Sequence, residues 1–196
     1  MGQAPTDPLV SLKQSGLRVW NYYWHFRHEL KMSEDELRAA GIEGDDLFIR
    51  PELIEPLKEV DAKFRKHGYE LIVKDAYRSP ELYELAYRKR HARWGKKATD
   101  RLYNMKDKPH TSGLVVDVNL VDPKTGEQVR MRDPKHDDEG AQTIGYYKDK
   151  ADPVSREYQR LQDLLIETML AVGFKLGVKK EFWHFEYPAS GSRVVK

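Results

Sequence analysis

Apolar residues recur at helical spacing in two long stretches of the chain. The first runs from about residue 52 to residue 67, and Gly68 follows it as a usual C-terminal stop. The second opens at Ser155 and is stopped by Gly173. Its apolar stripe consists of Tyr158, Leu161, Leu165 and Met169. Both stretches predict amphipathic helices that bury one side.

The first fifty residues give a weaker pattern. Ser33 with Glu36 forms a capping-box pattern that predicts a short helix, and Gly41 would end it. The aromatic-rich residues 17–26 have a mixed period, which leaves helix and strand open. We therefore treat residues 1–50 as a peripheral N-terminal segment of uncertain structure.

A strand-to-helix junction is predicted in the middle of the chain. Residues 69–75 are rich in β-forming side chains and lead directly to Arg78. Ser79 can cap and Pro80 can open the following helix, and Gly95 would end it. This arrangement places Arg78 at the end of a strand.

Clean alternation over residues 113–121 predicts a half-buried strand. Residues 127–131 can return as its hairpin partner, and the aromatic residues 181–187 predict a last strand. Leu114, Val116, Val118 and Leu120 share one face, and Val115, Asp117 and Asn119 share the other. The fold class predicted for residues 1–196 is α+β, a single domain with a central antiparallel sheet flanked by helices.

Composition narrows the chemistry that such a domain could carry. Hydrophobic residues make up 39% and charged residues 34%, which is typical of a globular protein. The chain has no cysteine, so a metal site must use histidines and carboxylates. No apolar run reaches membrane-spanning length, and the first residues lack a signal-peptide pattern, which predicts a cytoplasmic protein.

Two histidines and an aspartate supply the ligands that a catalytic zinc ion needs, with one position left for water. His110 lies in a loop, Asp117 lies seven residues later in the alternating strand, and His184 lies in the last strand. Glu181 would face away from His184 in a regular strand, so a turn or bulge near residues 181 and 182 is required. A carboxylate beside the metal can then act as general base.

Each of these residues also has an ordinary structural interpretation. A single histidine in a strand is usually hydrogen-bonded, and an aspartate on a polar strand face is commonly solvated. Aromatic residues beside His184 are more often core than a surface for substrate. The combination of ligands, rather than any one of them, predicts the zinc site.

The spacing from His110 to Asp117 and the segment 181–184, with 75–78 upstream, resembles the D-alanyl-D-alanine dipeptidase and carboxypeptidase family of zinc peptidases (VanX and VanY type). The resemblance covers about Pro51 to Tyr187. It implies one Zn²⁺ per chain, bound by His110, Asp117 and His184. It also implies that Glu181 is the catalytic base and that Arg78 stabilises substrate or oxyanion.

The resemblance further implies hydrolysis of D-alanyl-D-alanine to two D-alanines. Lys108 stands where the family pattern has a serine that helps to hold the substrate carboxylate, and it could serve by charge or point to solvent. Tyr77 and Trp183 are further candidate substrate contacts. A free substrate amine would need carboxylates, for which the candidates are Asp133, Asp137, Asp138 and Glu139.

Three alternatives stay open at this point. A carboxypeptidase or endopeptidase that trims peptidoglycan peptides would use the same site. A metal-binding but inactive relative is a second alternative, against which the intact Glu181 argues. The third is a module that binds nucleic acid or another anionic polymer through the basic residues 88–97 with Tyr87 and Trp94; the net charge of only +2 and the absence of a recognised motif argue against it.

Overall fold

The structure is a computed structural model that describes residues 8–137, 140–177 and 181–188. Helices and strands are interspersed along these residues. In chain order they are β1 (Val10–Ser11), α1 (Tyr22–His25), α2 (Glu34–Ala39), β2 (Phe48–Ile49), α3 (Ile54–Lys66), β3 (Glu70–Asp75), α4 (Pro80–Asp100), β4 (Val115–Val121), α5 (Pro153–Ala171), β5 (Lys175–Leu176) and β6 (His184–Glu186). Short 3₁₀ helices cover Pro51–Leu53, Pro109–Ser112 and Pro134–His136.

Two sheets are formed within the described residues. The larger is a four-stranded antiparallel sheet in the order β3, β4, β6, β5, and the smaller pairs β1 with β2 in antiparallel register. Lys175 pairs with Glu186 and Leu176 with Phe185 in the register of β5 and β6. The predicted α+β class with a central antiparallel sheet and flanking helices is confirmed.

The chain divides into two compact units, each built from two separate stretches of sequence. One comprises Met1–Ile54 with Val73–Val116, and the other comprises Glu55–Ile72 with Asp117–Lys196. The division falls inside β3 and β4, so each of these strands contributes residues to both units. The prediction that residues 1–196 form one domain stays a prediction.

Each unit has its own buried apolar residues. In the first, α2 and α4 enclose a cluster that includes Tyr23, Leu37, Leu82, Tyr83 and Tyr103. In the second, the predicted stripe of α5 is buried at Leu161, Leu165 and Met169, and α5 packs on β5. The apolar spacing therefore identified the buried side of α5 correctly.

Local capping explains where most helices begin and end. The Ser33 hydroxyl accepts from the Glu36 amide, and the Glu36 carboxylate accepts from the Ser33 amide, which confirms the capping box of α2. After α3, Gly68 adopts a φ of 81°. In the segment whose pattern was mixed, the Asn21 side chain caps the short helix α1.

Several element boundaries differ from the sequence prediction. The last strand, predicted at 181–187, covers only His184–Glu186 because residues 182 and 183 form a turn. Helix α4 does not end at Gly95; that glycine breaks helical geometry with φ 78° and ψ 171°, and helical residues continue to Asp100. Helix α5 begins at Pro153 because Asp152, rather than Ser155, is the N-cap. The predicted hairpin partner of β4 is a single bridge between Val121 and Gln128, not a strand.

Candidate metal centre

His110, Asp117 and His184 form a cluster that could hold a metal ion. Each residue offers one ligand atom, and these atoms all lie within 4.8 Å of one another. The two histidines are only 2% and 4% exposed, and Asp117 is half-buried. Two imidazoles and one carboxylate brought this close together form a donor set that a metal ion can bind.

The loop that carries His110 has an unusual backbone on both sides. Lys108 precedes it in the left-handed region with a φ of 45°, and Gly113 follows the 3₁₀ helix with a φ of 70°. A Cβ at Gly113 would lie 2.9 Å from the Leu9 side chain and 3.1 Å from that of Arg50. A glycine is required here because the chain must turn sharply from the loop into β4.

The His110 imidazole is oriented by a main-chain carbonyl. Its Nδ1 lies 2.7 Å from the carbonyl oxygen of Ala76. Since a carbonyl can only accept, this contact assigns the proton to Nδ1 and leaves the lone pair on Nε2, which is the form that binds a metal. Main-chain bonds fix the same residue: its amide donates to the Tyr83 hydroxyl at 3.0 Å, and its carbonyl accepts from the Arg78 amide at 3.3 Å.

His184 is oriented by carboxylates on one side and by close packing on the other. Its Nδ1 lies 2.8 Å from Asp117 Oδ1 and 3.9 Å from Glu181 Oε2. On the opposite side, a Cβ at Gly177 would lie 2.7 Å from Nε2. Nδ1 is therefore the ring nitrogen that faces the other members of the site.

Glu181 lies at the start of a turn that leads into β6. The His184 amide donates to the Glu181 carbonyl at 3.3 Å, and residues 182 and 183 are in turn conformation. Two further main-chain bonds hold this turn, from Phe182 to Gln142 at 3.1 Å and from Val118 to Trp183 at 3.0 Å. The irregular backbone predicted near residues 181 and 182 is present, and it brings Glu181 and His184 to one side.

Arg78 follows β3 and is buried. Its Nε donates to Asp75 Oδ2 at 2.7 Å, and its guanidinium lies 5.0 to 5.4 Å from the ring centres of Tyr23, Tyr83 and Tyr103. Burial opposes the charge, but Asp75 and the tyrosines outweigh that effect and hold the pKa of Arg78 well above its ordinary value. The guanidinium is therefore a permanent, fixed cation.

The candidate substrate contacts Lys108 and Trp183 each lie beside a charged side chain of the protein. The ammonium of Lys108 pairs with Glu84 Oε1 at 2.7 Å, a neighbour that the sequence did not indicate. The half-buried ring of Trp183 has the Arg132 guanidinium at 5.6 Å. Tyr77 is half-buried, and burial, with a contribution from Glu81, raises the pKa of its phenol. Substrate contact by these residues stays a prediction.

Two of the acidic candidates for a substrate amine already have structural partners. Asp133 caps a 3₁₀ helix by accepting from the Lys135 amide at 3.0 Å, and Asp137 pairs closely with Arg132. Asp138 and Glu139 lie outside the described residues. These contacts do not favour Asp133 or Asp137 as an amine-binding group.

The donor set fits zinc. Two imidazoles and one carboxylate match the ligands that zinc uses in catalytic sites. The His110 tautomer is set by Ala76, and His184 directs Nδ1 toward Asp117. Histidine–carbonyl contacts of the kind seen at His110 are the usual outer support of a metal ligand.

Sequence reasoning missed the residues that support the ligands. Gly177 leaves room for the His184 ring, Tyr83 holds the His110 main chain, and Asp75 pairs with Arg78. Gly177 lay outside every predicted element and belonged to no motif. Tyr83 had an ordinary position in a helix, and Asp75, although it belongs to the segment 75–78 of the resemblance, was given no role of its own.

An α+β fold with two buried histidines, a half-buried aspartate and a nearby glutamate is typical of a metal-dependent hydrolytic domain. Comparison with protein families specifies that class further. The family described as D-ala-D-ala dipeptidase, a family of zinc peptidases, matches residues 38–194. The chain therefore belongs to this peptidase family. The match extends beyond both ends of the resemblance seen in the sequence, and it begins within the last turn of α2.

No curated protein matches the chain significantly. Among solved structures, LdcB, an LD-carboxypeptidase, is 17% identical with a TM-score of 0.46; the match covers 71% of this chain and 59% of LdcB, so the chain spans less than two thirds of that relative. A VanY D,D-pentapeptidase mutant in complex with Zn(II) is 19% identical with a TM-score of 0.47, and the match covers 72% of this chain and 73% of VanY. VanXYg, described as a vancomycin-resistance D,D-dipeptidase, is 16% identical with a TM-score of 0.44, and the match covers 92% of this chain and 67% of VanXYg. We base no assignment on likeness at this level.

Within the described part of the chain, none of the helices combines the length and the apolar character needed to cross a membrane.

Proposed function

We propose that this protein is a zinc-dependent dipeptidase that hydrolyses D-alanyl-D-alanine to two D-alanines. The observation that carries the proposal is the match of residues 38–194 to the D-ala-D-ala dipeptidase family. The clustering of His110, Asp117 and His184 supports it, because two histidines and one carboxylate are a ligand set that catalytic zinc sites use. The proposed stoichiometry is one Zn²⁺ ion per chain.

The three clustered residues would hold the metal. His110 would bind through Nε2, since Nδ1 donates to Ala76, and His184 would bind through Nδ1, the nitrogen nearest Asp117. When bound, zinc supplies Lewis acidity that polarises a carbonyl and lowers the pKa of water. The remaining chemistry falls to side chains of the protein.

Glu181 is the proposed general base. Its Oε2 is 3.9 Å from His184 Nδ1, which places a carboxylate beside the ligands without making it one of the clustered ligands. The carboxylate would take a proton from the attacking water and later deliver that proton to the departing amine. The turn at residues 182 and 183 keeps this side chain in position.

Arg78 is the proposed electrostatic partner of the transition state. A guanidinium held by Asp75 does not need to reorganise when negative charge develops on the scissile carbonyl oxygen, and fixed charges of this kind stabilise an oxyanion. The main-chain amide of Arg78 donates a hydrogen bond to the His110 carbonyl, which connects this cation to the loop of one proposed ligand.

The test is hydrolysis of D-alanyl-D-alanine by the full chain, with and without a chelator, followed by metal analysis of the active sample. We expect activity that the chelator abolishes and that added Zn²⁺ restores. Cleavage that is insensitive to the chelator would overturn the proposal. An absence of metal from the active sample would do the same.

A second candidate function is a D,D-carboxypeptidase that trims peptidoglycan peptides. It is favoured by the contacts of Asp133 and Asp137, because these carboxylates are used by Lys135 and Arg132 and a carboxypeptidase needs no group for a free substrate amine. An N-acylated peptide ending in D-alanyl-D-alanine distinguishes the two. Faster cleavage of the acylated peptide than of the free dipeptide would assign the carboxypeptidase activity.

A further inference from the structure

Helix α4 contacts the His110 loop through the fully buried side chain of Tyr83. The Tyr83 hydroxyl accepts a hydrogen bond from the His110 amide at 3.0 Å. The partner is main chain, so this bond fixes the position of the His110 backbone, whereas Ala76 fixes the rotation of the ring. The two contacts thus constrain different degrees of freedom of the same residue.

The Tyr83 ring has a second contact that links it to Arg78. Its centre lies 5.0 Å from the Arg78 guanidinium, within the range of a cation–π interaction. Tyr83 therefore contacts the proposed electrostatic residue with its ring and the loop of a proposed ligand with its hydroxyl. A shift of this one side chain would move both groups.

Two neighbouring tyrosines provide a natural contrast. Tyr23 and Tyr103 also place their rings 5.4 Å from the Arg78 guanidinium, and they too are buried. Their hydroxyl groups, however, bond to each other at 2.8 Å. All three rings lie close to the Arg78 guanidinium. Of these three tyrosines, Tyr83 is the one whose hydroxyl bonds to the His110 main chain.

We propose that Tyr83 is a positioning residue that holds the His110 main chain for metal binding and keeps it in register with Arg78. The inference rests on the proposed function, because it requires His110 to be a zinc ligand. Metal ligands must be held closely to their productive geometry by the residues around them. Removal of an outer partner of a ligand typically weakens metal affinity by about 10- to 100-fold.

The experiment measures Zn²⁺ affinity by competition with a chromophoric chelator, using the full chain. The proteins compared are the wild type, Tyr83→Phe, Tyr103→Phe and His110→Ala. We expect Tyr83→Phe to bind Zn²⁺ roughly tenfold more weakly than the wild type, and Tyr103→Phe to bind within about twofold of it. Thermal unfolding of the two phenylalanine variants should shift by similar amounts, since each loses one buried hydroxyl bond.

The outcomes separate this inference from the proposed function. If the wild type does not bind Zn²⁺, or if His110→Ala binds it as well as the wild type, the proposed ligand set is wrong and the inference falls with it. If His110→Ala loses Zn²⁺ but Tyr83→Phe matches the wild type, only the role of Tyr83 is overturned. Equal weakening by Tyr83→Phe and Tyr103→Phe would also overturn it, since general loosening of the cluster would then suffice.

A second measurement uses the metal-free protein and therefore does not depend on Zn²⁺ affinity. Amide hydrogen exchange at His110 should be slow in the wild type and clearly faster in Tyr83→Phe, whereas Tyr103→Phe should leave it slow. Fast exchange at His110 in the wild type would contradict the hydroxyl bond on which the inference depends.

Discussion

The two histidines of the candidate centre are held by different physical means. Hydrogen bonds orient His110: the Ala76 carbonyl sets the ring and the Tyr83 hydroxyl holds the main chain. Packing constrains His184: the ring lies against the backbone at Gly177, and its other edge faces the carboxylates of Asp117 and Glu181. His110 therefore depends on directional bonds, whereas His184 depends on close packing in addition to its 2.8 Å contact with Asp117.

This difference predicts different sensitivities to substitution. Losing one of several hydrogen bonds weakens an orientation gradually, whereas adding a single carbon atom to a filled space displaces the ring at once. The two ring nitrogens of His184 also differ in their surroundings, since Nδ1 faces Asp117 and Nε2 lies beside Gly177. The following variants test these contrasts, beginning with the largest expected effect.

Glu181→Gln tests whether the carboxylate near His184 Nδ1 is the general base. We expect turnover to fall by about 10²- to 10⁴-fold while Zn²⁺ stays bound, since an amide cannot accept the proton. The matched control is Glu186→Gln, because Glu186 Oε1 lies at the same 3.9 Å distance from the other ring nitrogen. Steady-state kinetics with metal analysis decides the matter: comparable losses in both variants would contradict the assignment.

Asp75→Asn tests the charge pair behind the His110 side of the centre. Removing one partner of a buried ion pair costs about 3 to 5 kcal/mol, because the remaining guanidinium of Arg78 loses its carboxylate. Denaturant unfolding of the metal-free protein measures this loss. As a control, Asp100→Asn removes the carboxylate from an exposed pair with Lys96, and a loss as large as that of Asp75→Asn would refute the argument.

Gly177→Ala tests the packing of His184. The added carbon would lie 2.7 Å from Nε2 and 2.8 Å from Glu186 Oε1, and overpacking of this kind costs about 1 to 3 kcal/mol. We expect Zn²⁺ affinity to fall roughly 10- to 100-fold. Gly126→Ala is the control, because it strains a turn at a φ of 74° but has open space around it; weakening of Zn²⁺ binding by both variants would show a general effect.

Glu84→Gln tests the second contact between α4 and the His110 loop. The Lys108–Glu84 pair is the exposed counterpart of the buried Tyr83 bond, and the Glu84 side chain is 65% exposed. Exposed pairs contribute less than about 1 kcal/mol, so thermal unfolding and Zn²⁺ affinity should change little. A marked loss of affinity would show that the surface pair, and not only the buried tyrosine, holds the loop.

Much of the fold follows from local sequence signals. The capping box at Ser33, the stripe of α5 and the alternation in β4 each depend on residues within a few positions of one another. The errors have local causes as well. Asp152 competes with Ser155 as N-cap of α5, and Gly95 interrupts α4 without terminating it.

The clustering of His110, Asp117 and His184 could be predicted from residue type and spacing, and their role as zinc ligands stays a prediction, but the residues that hold them in place could not be predicted. Tyr83 is 27 positions from His110, and Gly177 is seven positions from His184 across a turn. Neither contact has a characteristic spacing. The pairing of Lys108 with Glu84 has the same origin, since it arises from the docking of α4 beside the loop and not from any pattern around Lys108.

The break in α4 has a consequence for proteolysis. Residues 91–98 are all exposed, Trp94 is 42% exposed, and Gly95 interrupts the helix among several lysines and arginines. Exposed, irregular segments are preferred sites of cleavage, so trypsin should cut here early. Such a cut would leave His110, Asp117 and His184 on one fragment and Arg78 with Tyr83 on the other. Limited digestion would thereby divide the three candidate ligands from Arg78 and Tyr83.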